Sequence, residues 1–189
     1  AMFSFNMRNF LAVPEGKDSI KAFPNGFLLW QDAEHMPENR GGFAVFVDDS
    51  KAVVDHTWFR GGWFDAPTLA WRNLLQMTPV ANPPMEGPTL GATVAVRFTV
   101  APGATHTVRL MTAWYVPETK HRVVVDPREP SACAEGGSCA CSGQKAEPVG
   151  EFYRPWYAGR FASIEEVGAY WRDNYDALRE KSRVFSEAF

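Results

Sequence analysis

Residues 2–13 alternate between apolar and polar positions, with Phe3, Phe5, Met7, Leu11 and Val13 set against Ser4, Asn6, Arg8 and Ala12. A period of two predicts a strand. Pro14-Glu15-Gly16-Lys17-Asp18 breaks it, and Pro24-Asn25-Gly26 supplies a turn before a second strand opens at Phe27-Leu28-Leu29-Trp30. The polar stretch 31–40 reads as a loop ending at Gly41-Gly42. Residues 43–47 are apolar on both faces, as a central strand requires. Asp48-Asp49-Ser50-Lys51 has the composition of a hairpin turn, which predicts antiparallel pairing of 43–47 with 52–59. A second hairpin is expected further on. There Val94, Val96, Phe98 and Val100 share one face of 92–100, and Val108, Leu110, Trp114 and Val116 share one face of 105–116, joined through Ala101-Pro102-Gly103-Ala104.

Helical periodicity occurs twice. Asp65 is the candidate N-cap of a short amphipathic helix over 66–77, with Pro67 in its first turn and Leu69, Leu74 and Leu75 on one side. Ser163-Ile164-Glu165-Glu166 forms a capping box, after which Ile164, Val167, Trp171, Leu178, Phe185 and Phe189 recur at helical spacing. About 26 residues at 1.5 Å each predict a helix of about 40 Å. Its last residues carry no stop signal, which reads as a chain cut within a helix whose apolar stripe was meant for a further domain. In the isolated chain Leu178, Val184, Phe185 and Phe189 are then expected to expose apolar surface and to favour self-association. The fold class that follows is mainly β: an antiparallel β-sandwich with one short crossing helix and a long C-terminal linker helix. Residues 1–161 would form the sandwich domain, with a loop insertion at 117–150, and 162–189 the linker.

Composition narrows the function. A net charge of −3 without a basic block argues against a nucleic-acid surface. No stretch approaches the roughly 18 apolar residues of a membrane span, and the first residues lack the pattern of a signal peptide. Aromatic residues make up 14% of the chain, with 7 Trp and 14 Phe, a lean toward sugar or apolar ligands. The insertion holds Cys133, Cys139 and Cys141, with five and one residues between them. That spacing matches no paired zinc motif, so no metal and no cofactor are expected.

The densest candidate site is His56-Thr57-Trp58-Phe59-Arg60-Gly61-Gly62-Trp63-Phe64-Asp65. Trp58 and Trp63 would stack on a sugar while Arg60 and Asp65 hold its hydroxyls. The alternative is a packed corner between a sheet and its crossing helix, with the aromatics as filler.

Gly26-Phe27-Leu28-Leu29-Trp30, the run from Trp58 to Asp65, Leu110-Met111-Thr112-Ala113-Trp114-Tyr115-Val116-Pro117, and Phe152-Tyr153-Arg154-Pro155-Trp156-Tyr157 before a long helix together resemble the N-terminal β domain of glycoside hydrolase family 116. That family includes non-lysosomal glucosylceramidases and proteins predicted to be bile-acid β-glucosidases. The Cys-containing insertion is a departure from its pattern. The resemblance implies a two-part retaining glycosidase whose two carboxylates, about 5 to 5.5 Å apart, lie in a C-terminal (α/α)6 barrel. This chain would then be a non-catalytic domain, inactive alone, that packs on the barrel, with a glycoside substrate near the interface. Asp48-Asp49 and Glu165-Glu166 read as a turn and a helix cap, not as catalytic pairs. A freestanding carbohydrate-binding module and a structural or partner-docking domain without sugar affinity are the other readings.

Overall fold

The computed structural model describes residues 1–11, 17–34, 36–59, 65–119 and 152–188. Seven strands among these residues form two antiparallel sheets. The first sheet has the order β1 (Met2–Arg8), β6 (Gly91–Arg97), β5 (Val53–Asp55). The second runs β2 (Lys17–Phe23), β3 (Gly26–Asp32), β4 (Gly41–Val47), β7 (Leu110–Tyr115). The class is as expected, mainly β and antiparallel.

The second sheet is the middle layer. Phe27, Leu29, Val45 and Val47 pack toward Ala92, Val94 and Val96 of the first sheet, with Phe3, Phe5 and Met7 of β1 closing the core. The alternate positions of the same strands, Leu28, Ala44, Phe46, Met111, Ala113 and Tyr115, face the other way and are covered by Ala158, Ile164, Val167 and Trp171. Those covering residues belong to α2 (Trp156–Arg160) and α3 (Ile164–Asp173). A strand buried on both faces needs an unbroken apolar run, and Gly-Gly-Phe-Ala-Val-Phe-Val of β4 supplies one.

Both expected hairpins are corrected. β4 pairs with β3 and β7, and β5 pairs with β6, so the turn at 48–51 carries the chain from one sheet to the other. Likewise β6 pairs with β1 while β7 pairs with β4. Phe98, Val108 and Leu110 still point into the shared core. Alternation states which face a residue uses, and that face is the same whether the next strand lies beside it or across from it. The first strand is shorter than 2–13, ending at Arg8, and the chain between the two early strands adds β2, which pairs with β3 through a two-residue turn at Pro24-Asn25. Asn25 takes φ of 56° there, a left-handed conformation that asparagine tolerates better than most residues.

The short crossing helix is α1 (Ala66–Leu75). The continuous C-terminal helix is also corrected: α3 stops at Asp173, and α4 (Tyr175–Glu187) begins after Asn174, whose φ of −113° and ψ of 11° leave helical geometry. The Asn174 side-chain amide donates to Tyr170 O at 2.9 Å, a local bond that competes with regular helix. At the start of α3 Ser163 caps the helix as expected, while the Glu166 side chain reaches one residue further back than a capping box requires. Glu166 N donates to Ser163 Oγ at 3.4 Å, and the Glu166 carboxylate accepts from Ala162 N at 2.8 Å.

Candidate functional site

The residues singled out around the Gly-Gly turn fall into two groups. Arg60 and Trp63 lie outside the described residues, as do Cys133, Cys139 and Cys141. Trp58 and Asp65 are placed. Trp58 is 7% exposed, and its indole N–H donates to Thr93 Oγ1 at 2.9 Å. The Thr93 hydroxyl in turn donates to Asn6 Oδ1 at 2.7 Å, so the indole is tied into the outer face of the first sheet. Gly91 makes room for it: a Cβ there would lie 2.6 Å from the Trp58 ring and from Met7 O. A ring held this way offers no open face for stacking. Asp65 occupies the N-cap position of α1, but its carboxylate accepts from the Thr68 hydroxyl at 3.1 Å and caps no backbone amide.

Beside Trp58 the end of β5 carries a polar wall that the sequence reading did not single out. Asp55 Oδ1 accepts from Thr57 N and from Asn82 Nδ2, both at 3.0 Å. His56 donates to Asn82 O twice, from its backbone N at 3.1 Å and from Nδ1 at 2.8 Å. Thr57 Oγ1 donates to Pro83 O at 3.1 Å. These bonds lash residues 82–83 to 55–57. Burial pushes the Asp55 carboxyl above its ordinary range, against the opposing pull of the bonds from Asn82 and Thr57 and of nearby His56. His56 Nε2 is sealed from solvent without a hydrogen-bond partner among the described residues. The wall borders a cavity of about 210 Å³ that reaches from Asp55 and Thr57 to Leu69, Ala70 and Asn73 of α1.

A larger cavity, about 380 Å³, lies where the second sheet meets the start of α3. Trp30, Tyr115, Arg154 and Glu118 are among its walls. The Trp30 ring is already occupied by cations, with Lys21 Nζ 4.7 Å and the Arg40 guanidinium 5.9 Å from its centre. Elsewhere Phe10, Phe43 and Trp114 meet edge to face at 5.5 to 5.9 Å, leaving Trp114 58% exposed.

The acidic pairs have structural work. Asp48 forms a 2.9 Å ion pair with Arg109, Asp49 Oδ1 accepts from Lys51 N at 2.8 Å, and Glu166 serves the helix cap. Among the described residues no group of three or more His, Cys, Asp or Glu is placed to hold a metal ion, and no helix is long and apolar enough to cross a membrane.

The described residues form a two-sheet antiparallel sandwich with helices layered on one sheet. Residues 9–178 match the family described as beta-glucosidase 2, glycosyl-hydrolase family 116 N-term, and the chain belongs to that family. No curated protein matches the chain.

Proposed function

We propose that this chain is the non-catalytic N-terminal domain of a β-glucosidase of the glucosylceramidase-like kind, and that it packs on an (α/α)6 catalytic barrel through the segment 162–189. The family match over 9–178 carries this reading. The character of α4 supports the docking part. It buries no side chain, and Val184 and Phe185 are 53% and 66% exposed. Leu178 and Phe185, two turns apart, fall on the helix face opposite Glu180, Arg183 and Glu187. Arg183 pairs with both of those glutamates, at 2.6 and 2.5 Å. Such i,i+3 and i,i+4 pairs stabilise the helix locally, and Phe185 on its apolar side remains largely exposed to solvent.

The readings as a freestanding sugar module or as a docking domain without sugar affinity differ in what they require. The first relied on exposed tryptophans at 58 and 63, and the burial of Trp58 weighs against a platform there. Self-association through α4 would use the same stripe as the barrel. Incubating the purified chain with p-nitrophenyl β-D-glucoside tests the non-catalytic claim. No nitrophenol release above the buffer rate is expected. Release that disappears on substituting one of the chain's own carboxylates would overturn it.

A further inference from the structure

Helix α1 sits over a gap. Its inward positions 66, 69, 70 and 73 follow helical spacing, yet only Ala66 is buried. Leu69, Ala70 and Asn73 border the 210 Å³ cavity instead of a packed core. At about 30 Å³ per water, that space holds roughly seven waters, the scale of a single sugar ring and below that of a drug-sized ligand.

The opposite wall is built in advance. Asp55 is 8% exposed, and Oδ1 is fully engaged by Thr57 and Asn82. Oδ2 has no hydrogen-bond partner among the described residues. That oxygen is not sealed from solvent, so it stays open to a donor entering from the cleft. The lashing of 82–83 onto 55–57 holds that oxygen in place, so a ligand would not have to order it.

We propose that this cleft between α1 and the end of β5 binds a small neutral polyol, with Asp55 Oδ2 accepting from its hydroxyls. Asn73 and Arg72 on α1 supply donors for the ligand's oxygens, and Leu69 offers apolar surface to its C–H faces. An ammonium ligand would meet Arg72 as a like charge, and a metal ion would find one carboxylate where a hard cation needs several oxygen ligands. The proposal does not depend on the docking of α4, which extends from the helical layer on the other sheet.

Nuclear magnetic resonance titration of the chain with D-glucose and with xylitol tests it. The Thr57 amide, which donates to the same carboxylate, and the Trp58 indole N–H should shift saturably, with a dissociation constant in the millimolar range. Asp55→Asn keeps an acceptor at Oδ1 and replaces the free oxygen by a donor; it should weaken binding about tenfold or more. Ala70→Phe fills the cleft from the helix side without touching the lashing, and it should abolish the shifts while the fold is retained. The proposal is overturned if neither polyol gives saturable shifts, leaving the cleft to water. It is equally overturned if the Ala70→Phe chain, shown folded by its spectrum, binds as before, or if ethylammonium chloride saturates the site and the polyols do not.

Discussion

The Arg109 guanidinium lies 3.7 Å from the centre of the Tyr175 ring. The same group pairs with Asp48 at 2.9 Å and reaches Asp176 at 4.0 Å. One side chain just before β7 thus fastens the first turn of α4 to the turn after β4. This is the anchor that sets where α4 leaves the sandwich.

Replacing Arg109 by Ala should therefore loosen α4 while barely altering the fold. The ion pairs are solvent-exposed, so the loss in global stability should be below about 1 kcal/mol. Amide exchange in the first two turns of α4 should rise, with the β-sheet amides unaffected. Lysine should restore little of the effect, because its ammonium lacks the planar fork that stacks and pairs at once.

The Trp58 anchor should respond more strongly. Trp58→Ala should cost about 3 to 5 kcal/mol in urea unfolding, since it empties a buried site. Trp58→Phe keeps much of the volume and loses the bond to Thr93, a cost of about 0.5 to 1.5 kcal/mol. Gly91→Ala should cost about 1 to 3 kcal/mol, because its new methyl meets both the indole and the backbone of Met7.

These elements also show what could be read from the chain. The face each strand residue uses was legible, as with Val94, Val96 and Phe98, because burial of one face imposes a period of two. The partner of each strand was not. Turn residues at 48–51 and 101–104 report where the chain bends, while the choice between a hairpin and a crossing to the opposite sheet depends on contacts distant in sequence. β2 was missed for a related reason: Lys17-Asp18-Ser19 and Lys21 dilute its pattern, as suits an edge strand. The cap at Ser163 was legible because a helix cap is local. The break at Asn174 was not, because the apolar spacing of Trp171 and Leu178 runs through it. In the candidate site the aromatics drew attention to Trp58, whereas Asp55 and Asn82 are 27 positions apart and become neighbours only when β5 is laid beside residue 82.

Asp55 gives the chain a pH signature. Its folded-state pKa is raised by burial, so the folded chain holds that proton more tightly than the unfolded chain. Stability therefore falls as pH rises from the ordinary carboxylate range through the raised value, and the cost persists at neutral pH. Asp55→Asn removes this term. Thermal midpoints of the two proteins, taken from acid to neutral pH, should diverge in favour of the variant as pH increases. A constant offset across the range would show that Asp55 titrates alike in both states.

The proposed docking of α4 is tested most directly by hydrogen–deuterium exchange over residues 175–187, compared between this chain alone and the full-length protein. Protection of these amides in the full-length protein, with rapid exchange in the isolated chain, is the predicted result. It should be lost on Phe185→Asp while the exchange of β3 and β4 stays the same. Equal exchange of 175–187 in both proteins would contradict the account, because α4 would then make no interface with a catalytic domain.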